Sequence, residues 1–233
     1  MMKKFILVLL AMVPMLTLAA GPSVPLDKAN NDLTDKESLK RGFESYINYC
    51  LGCHTLQYQR YNRTFADLGI TDADGAANYM YTGEKVGDHI TNAMPAKEAA
   101  KWFGSAPPDL TLEARLRSPD WIYTYLRSFY VDPNRPFGTN NKIFKDVGMP
   151  HVLQGLQGVH SVDEHGNLLP ATGGSMSEQE YDAFVRDLTN FLEYVGEPSK
   201  LERERMGFWV IGFLVILFIF SYLLKKEYWK DVH

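Results

Sequence analysis

The most specific chemistry in this sequence lies in the run Cys50-Leu51-Gly52-Cys53-His54, which contains the only two cysteines of its 233 residues. The run fits C-x-x-C-H, the pattern by which c-type haem is attached. Two thiols separated by two residues on a helical turn can add to the two vinyl groups on one porphyrin edge. The next residue is then held beneath the iron. We therefore predict that Cys50 and Cys53 form thioether bonds and that His54 is an axial ligand.

Three other uses of a C-x-x-C pair fit this sequence less well. A disulfide in an exported protein needs no histidine after its second cysteine. A thioredoxin-like redox pair requires a βαβ context, and no strand-rich pattern surrounds Cys50 and Cys53. A zinc site normally takes two more Cys or His ligands at matching spacing, and none follow nearby. The sequence therefore favours one covalently bound haem c.

An electron-transfer haem needs a second axial ligand, because a filled sixth position limits rearrangement when the iron changes oxidation state. A methionine thioether is soft and neutral, so it favours ferrous iron and raises the reduction potential. Met94 and Met149 are each followed by a proline, which stiffens the backbone. Chain position favours Met149, which lies in a glycine-rich stretch. The remaining candidates are Met80, Met176, His89, His151 and His160.

Two amphipathic helices are predicted to cross beside the haem. The first follows a capping box at Thr34–Glu37, and its apolar face leads to Cys50. The second, Ser177–Val195, begins with another capping box and carries one apolar stripe. Gly42 forms a notch in the first helix where the second can approach closely. A crossing of the first and last helices near the haem predicts a mainly α, cytochrome c-like domain with long loops.

A third helix is predicted over Pro119–Val131, where Ser118 can cap the first turn and proline suits the first helical position. Its apolar face is rich in aromatic residues, which suits the wall of a haem pocket. The following stretch, 132–176, contains seven glycines and four prolines. We expect this stretch to be a loop that wraps over the cofactor.

Both ends of the chain predict targeting to a membrane. Residues 1–20 combine a basic start, a short apolar run and small residues at the end, which is typical of a secretory signal peptide. Residues 206–224 carry no charge and are numerous enough for a transmembrane helix. Lysines in the tail 225–233 predict a cytoplasmic C-terminus by the positive-inside rule. The domain at 21–205 is then expected in the periplasm.

The composition supports one globular domain of ordinary type. The chain is 45% hydrophobic and has a formal net charge of −4. Within 21–205, 19 basic residues stand against 26 acidic residues, a net charge of −7. That balance argues against binding to nucleic acid, because a phosphate backbone attracts basic surfaces. An acidic domain instead attracts a basic protein partner.

The sequence resembles the cytochrome c1 family of cytochrome bc1 complexes, bacterial type, over nearly the whole length that follows the signal peptide. The matching motifs are Arg41-Gly42-Phe43, Cys50-Leu51-Gly52-Cys53-His54-Thr55, Ala106-Pro107-Pro108-Asp109-Leu110-Thr111, Arg115-Leu116-Arg117, Gly148-Met149-Pro150, Glu197-Pro198 and Arg203-Glu204-Arg205-Met206-Gly207. Each motif is short, but their order together with a single haem motif and an apolar C-terminal segment is highly specific.

The resemblance implies roles for individual residues. The iron ligands would be His54 and Met149, and the haem-binding residues Cys50, Cys53, Pro108, Arg117 and Tyr123. Arg117 is expected beside a haem propionate, with Pro108 and Tyr123 against the ring. The sequence departs from the family after Met149, where Pro150-His151-Val152 stands in place of the usual Ala-Pro-Pro.

The resemblance also implies a function and its partners. The chain would be a subunit, not itself an enzyme, that carries electrons from a Rieske iron–sulfur protein to a soluble cytochrome c. It would be anchored once in a bacterial inner membrane, beside cytochrome b in a dimeric complex of a respiratory or photosynthetic chain. Two alternatives stay open: a haem enzyme or sensor with an open sixth site, and a c-type haem subunit of a terminal oxidase.

Overall fold

The computed structural model describes residues 24–230, so the predicted signal peptide lies outside the described residues. Nine helices lie within that range: α1 Lys36–Tyr49, α2 Tyr61–Leu68, α3 Asp72–Asn78, α4 Ala96–Phe103, α5 Glu113–Arg117, α6 Pro119–Arg127, α7 Gln154–Gln157, α8 Glu178–Gly196 and α9 Lys200–Tyr228. Three antiparallel pairs of short strands accompany them: β1 Leu56–Arg60 with β2 His89–Ile90, β3 Phe129–Val131 with β4 Thr139–Asn141, and β5 Gly158–Val159 with β6 Thr172–Gly173. The predicted mainly α fold with long connections is confirmed.

The core forms where α1 packs against α8. The ring of Phe191 on α8 lies 5.3 Å from that of Phe43 and 5.9 Å from that of Tyr46, both on α1. The two helices can approach closely because α1 carries Gly42 at the crossing. A Cβ at this position would overlap the carbonyl oxygen of Asp187 and lie 2.7 Å from the Cβ of Phe191. The predicted crossing of these helices is confirmed.

Side-chain caps define where the two helices begin. Ser177 caps α8 in a capping box with Glu180, as predicted. At α1 the capping residue is Asp35, whose carboxylate accepts the backbone N–H of Ser38 at 3.0 Å. The prediction of Thr34 as the cap is wrong, because the Thr34 hydroxyl instead donates to Asp32 at 2.6 Å. The helix therefore begins one residue later than its sequence pattern implies.

The third predicted helix begins as expected but ends early. The Ser118 side chain accepts the backbone N–H of Trp121, and Pro119 occupies the first turn of α6. The predicted continuation to Val131 is wrong, because α6 ends at Arg127 and the next residues form β3. Strand β3 pairs with β4, which lies in the stretch 132–176 that was expected to be only loop. Long-range pairing therefore overrides the helical pattern here.

The segment before α1 is bound to α6 and to α8, where Arg186 donates to the carbonyl of Ala29 at 3.1 Å. The backbone N–H of Asp27 donates to the Thr124 hydroxyl at 2.9 Å. The Arg127 guanidinium pairs with the Asp27 carboxylate at 2.7 Å and with both oxygens of Asp182 at 2.5 and 3.1 Å. These contacts fix the start of the domain against two helices from its second half.

A 29-residue helix, α9, follows the domain and contains the stretch 206–224 predicted to cross a membrane. Within residues 24–230, it is the one helix long and apolar enough to span a bilayer, and none of its residues is buried. Ion pairs join its first turn to α8. The Lys200 ammonium lies 2.7 Å from Glu193, and Glu197 accepts from Arg203. The anchor helix is therefore attached to the domain by side chains as well as by the chain itself.

Candidate haem site

A cavity of about 400 Å³ opens between the end of α1, helices α5, α6 and α8, and two loops. Cys50, Cys53 and His54 line it from the end of α1. Pro108 lines it from the loop before α5, and Met149 from the loop after β4. The structure therefore brings the predicted thiols and both predicted iron ligands to the walls of one mainly apolar cavity.

The attachment motif forms a compact turn at the end of α1. The backbone N–H groups of Cys53 and His54 both donate to the carbonyl of Cys50, at 3.0 and 2.8 Å. The Tyr46 hydroxyl donates to the carbonyl of His54 at 2.7 Å, and the Asn92 amide donates to Leu51 at 2.8 Å. The turn is thus held from two sides, which fixes the directions of its side chains.

Both thiols are free, and they face the cavity as separate groups rather than as a disulfide. Burial raises the pKa of the Cys50 thiol to about 12, with a further contribution from Cys53. The Cys50 thiol is therefore uncharged at neutral pH, which suits a site with apolar walls.

His54 presents one ring nitrogen for coordination. Its Nδ1 lies 2.7 Å from the carbonyl oxygen of Pro108. A carbonyl oxygen can only accept, so Nδ1 carries the proton and the lone pair resides on Nε2. Burial also lowers the pKa of His54, which favours the neutral imidazole. A neutral imidazole whose protonated nitrogen is held by a hydrogen bond, and whose other nitrogen is free, is the form that binds a metal ion.

The loop that carries Met149 is held from two directions. The Arg135 guanidinium donates to the carbonyls of Asp146 and Val147, at 2.7 and 3.2 Å. Gly148 passes so close to the carbonyl oxygen of Phe103 that a Cβ there would overlap it. The Tyr125 hydroxyl donates to the Met149 sulfur at 3.3 Å. These contacts fix both the backbone of the loop and the thioether.

Arg117 and Glu113 are the charged side chains among the cavity-lining residues within 24–230. The Arg117 Nε lies 3.1 Å from a carboxylate oxygen of Glu113. The guanidinium also covers the ring of Trp121, 4.5 Å from its centroid, and lies 5.4 Å from that of Phe144. A cation at the rim of an apolar cavity can bind a carboxylate that approaches from outside.

Tyr123, which the resemblance assigned to the ring, does not line the cavity. It is buried on another face of α6, where the Arg127 guanidinium lies 4.7 Å from its ring centroid. The aromatic residues of α6 that line the cavity are Trp121 and Tyr125. The spacing of four residues between Trp121 and Tyr125, which places both on one face of α6, is the sequence signal that could have identified them.

The alternative iron ligands do not line the cavity: Met80, Met94, Met176, His89, His151 and His160. His151 is buried and stacks on Phe129 at 4.8 Å between ring centroids. The His160 ring lies 2.6 Å from the carbonyl of Leu169 and contacts Gln157. Both histidines are therefore engaged within the fold, away from the cavity.

The donor set of the cavity fits a c-type haem. Two free thiols can form the covalent links, the neutral imidazole offers Nε2, and a thioether offers a soft second ligand. The apolar walls suit the porphyrin faces, and one cation at the rim suits a propionate.

Known proteins are similar to this chain over most or all of its length. A curated cytochrome c1 from Allochromatium vinosum is 53% identical to this chain and covers all of both chains. A chain from Nitrosomonas europaea named ammonia monooxygenase gamma subunit is 46% identical over 100% of this chain and 99% of its own. A protein named cytochrome b/c1 from Bradyrhizobium diazoefficiens is 28% identical over 85% of this chain, which matches 34% of that protein.

The family model described as the Cytochrome C1 family matches residues 28–232. The match extends over the haem-type motif, the cavity and the anchor helix. Together with the full-length similarity to a curated cytochrome c1, it shows that this chain belongs to the Cytochrome C1 family.

Proposed function

We propose that this chain is the membrane-anchored c-type cytochrome of a quinol–cytochrome c reductase. It carries single electrons from a Rieske iron–sulfur protein to a soluble cytochrome c. Membership of the family makes it an electron-transfer haem subunit rather than a catalyst by itself. The observation that carries the proposal is one cavity lined by two thiols, an imidazole and a thioether.

The proposed site residues divide into attachment, ligation and support. Cys50 and Cys53 would form the thioether bonds, and His54 and Met149 would supply the two protein ligands of the iron. When bound, the haem supplies a one-electron couple between ferric and ferrous iron. The Pro108 carbonyl accepts from Nδ1 of His54 and the Tyr125 hydroxyl donates to the Met149 sulfur, so both side chains are held in place.

Pro108 and Arg117 are the other proposed haem contacts. Pro108 would pack against the ring beside His54, and Arg117 would bind a propionate. In the structure Arg117 pairs with Glu113, and its side chain is 38% exposed. A propionate would therefore compete with Glu113 for the same guanidinium. Tyr123 is not proposed as a haem contact, because its ring packs under Arg127.

Partner and membrane assignments follow from the family and from charge. The relative named cytochrome b/c1 combines both names in one protein, which supports an association of this chain with cytochrome b. A net charge of −7 over 21–205 supports attraction of a basic soluble cytochrome c. The helix α9 is proposed to cross a bacterial inner membrane once, with the haem domain in the periplasm and the C-terminus in the cytoplasm. The complex is proposed to be a dimer.

A haem enzyme or sensor is the main rival, and the name of the Nitrosomonas relative refers to a monooxygenase. Oxygen or peroxide chemistry at haem requires an open position on the iron. The thioether of Met149 in the cavity, fixed by Tyr125, opposes that reading. A far-red charge-transfer band of the ferric protein, which arises from a methionine–iron bond, distinguishes the two functions.

Purification from its native membrane in mild detergent tests the proposed complex. We expect a cytochrome b and a Rieske protein to co-purify and quinol to reduce the haem of this chain. Co-purification with haem–copper oxidase subunits would instead assign the chain to a terminal oxidase.

A further inference from the structure

A continuous stack of side chains runs along α5 and α6 to the loop of Met149. The Arg117 guanidinium lies 4.5 Å from the ring centroid of Trp121. The rings of Trp121 and Tyr125 are nearly parallel, 10° apart, with centroids 4.9 Å from each other. Phe129 contacts the other side of Tyr125 edge-on at 5.1 Å. Trp121 and Tyr125 stack because they lie four residues apart on α6. Arg117 at the end of α5 and Phe129 in β3 extend the stack at its two ends.

Tyr125 is the member of this stack with a polar group directed at the proposed iron ligand. Its hydroxyl donates to the Met149 sulfur at 3.3 Å. The rings of Trp121 and Phe129 confine the phenol on two sides. The backbone is fixed as well, because the Asn141 amide donates to the carbonyl of Tyr125 at 2.8 Å. A thioether sulfur is a weak acceptor, so its hydrogen bond depends on such confinement.

We propose that Tyr125 is the positioning residue for the sixth ligand. Its hydroxyl holds the sulfur of Met149 toward the iron and raises the reduction potential of the haem. The inference rests on the proposed function, because it requires Met149 to be the iron ligand. It assigns to this chain a residue that neither the motif nor the family resemblance identified.

The direction of the effect follows from how a thioether binds iron. A hydrogen bond withdraws electron density from the sulfur, which weakens its donation to the metal. Ferric iron depends more on that donation than ferrous iron, so ferrous iron is favoured and the potential is raised. Loss of the hydroxyl therefore lowers the potential and lets the sulfur move more freely.

The test is Tyr125→Phe in the full-length, membrane-bound protein, since this change removes the hydroxyl and retains the stacked ring. We expect wild-type haem content, a lower midpoint potential in redox titration, a displaced far-red band and faster CO binding to the ferrous protein. Tyr130→Phe is the matched control, because Tyr130 is partly buried nearby and does not line the cavity. It should keep the wild-type potential and band.

A double-mutant cycle separates an effect through the sulfur from an effect on packing. The potential shift caused by Tyr125→Phe should vanish when it is made in Met149→Leu, which has no sulfur to accept the bond. A shift of equal size in both backgrounds would show that Tyr125 acts only through packing and would overturn the inference. An unchanged potential in Tyr125→Phe alone would do the same.

Two further outcomes distinguish a failure of the proposed function from a failure of the inference about Tyr125. If Met149→Leu retains the far-red band, Met149 is not the ligand, and the proposed function loses its site rather than this inference alone. If Tyr125→Phe does not assemble with haem, NMR of the ferrous wild-type protein decides the matter. A nuclear Overhauser effect between the Tyr125 ring and the Met149 methyl group supports the contact, and its absence overturns it.

Discussion

The hydroxyl of Thr55 donates to a carboxylate oxygen of Asp109 at 2.6 Å, and this bond joins the residue after His54 to the residue after Pro108. The same carboxylate also accepts the backbone N–H of Gln57 at 2.7 Å, while its other oxygen accepts the N–H of Thr111 at 3.0 Å. The Pro108 carbonyl belongs to the same loop as Asp109. Asp109 therefore joins this loop to the strand that follows His54, the proposed iron ligand.

Replacement of Asp109 with Ala should loosen this loop and the orientation of His54. We expect a loss of about 3 kcal/mol in the free energy of unfolding, because three hydrogen bonds to one carboxylate disappear. Thermal unfolding and redox titration of the holoprotein measure the effect. Asp163→Ala is the control, because Asp163 also accepts backbone N–H groups, from His165 and Asn167, but in a loop outside the cavity lining. A wild-type potential and stability in Asp109→Ala would contradict this role.

Loss of either thiol should prevent maturation. Cys50→Ala or Cys53→Ala is expected to give little or no covalent haem, and the apoprotein should be degraded because much of the core packs around the cavity. Haem-stained gels and immunoblots measure both outcomes. Gly52→Ala serves as the control within the motif, since a Cβ there meets no atom within 4 Å. A stable holoprotein with the wild-type spectrum in either cysteine variant would refute the attachment site.

Met149→Leu should remove the sixth ligand at a small packing cost, about 1 kcal/mol, because leucine nearly matches methionine in volume. The ferric far-red band should disappear, the potential should fall sharply, and the ferrous protein should bind CO. Quinol oxidation by the complex should then collapse. Met94→Leu is the control and should leave all four properties unchanged, since Met94 does not line the cavity. If Met94→Leu abolished the far-red band and Met149→Leu did not, Met94 would be the sixth ligand instead of Met149.

Gly42→Ala should destabilise the domain by about 3 kcal/mol, because its methyl group would overlap the backbone of α8 at Asp187. Chemical denaturation of the holoprotein measures the loss. Gly155→Ala provides the comparison, because it lies in α7 and a Cβ there meets no atom within 4 Å. That variant should lose no stability and gain up to about 1 kcal/mol, since alanine is a better helix former. Equal effects at the two positions would exclude a close helix crossing.

A chain cut after Lys200 should yield a soluble cytochrome with a normal ferric and ferrous spectrum. The cut retains the pair of Lys200 with Glu193 and removes the rest of α9, which is not buried, together with residues 229–233 that follow it. Optical spectra of the exported fraction test this boundary. A cut after Asp187 is the contrasting variant, because it removes Leu188 and Leu192 from the cavity wall. Loss of the spectrum in the longer fragment would show that α9 belongs to the haem domain.

Local patterns were sufficient to predict the elements that frame the cavity. The capping box at Ser177, the proline at the start of α6 and the notch at Gly42 each depend on a few neighbouring residues or on one helix face. The end of α6 could not be read in the same way, because it depends on pairing of β3 with β4. In that pair the Asn140 and Asn141 side chains bond to Asp132 and Tyr125, contacts that no periodicity reveals.

Among the proposed site residues, prediction from the sequence was most specific where the chemistry requires one residue type. Cysteine and histidine at fixed spacing identify Cys50, Cys53 and His54 with little structural help. The family resemblance assigned Tyr123 to the ring, whereas the helix phase of α6 presents Trp121 and Tyr125 to the cavity. The path of 61–105 had no readable pattern, and it forms three short helices and a strand around Asn92, which supports the attachment turn.

The pairing of α1 with α8 has a consequence for biogenesis. Glu178, the first residue of α8, follows Tyr49, the last of α1, by 129 positions. Under the proposed export, a chain that crosses the membrane with its N-terminus first would expose both thiols long before α8, which lines the cavity, has crossed. Closure of such a distant contact is slow. The order of translocation would then provide an interval for haem attachment to an open chain, before α8 packs against α1.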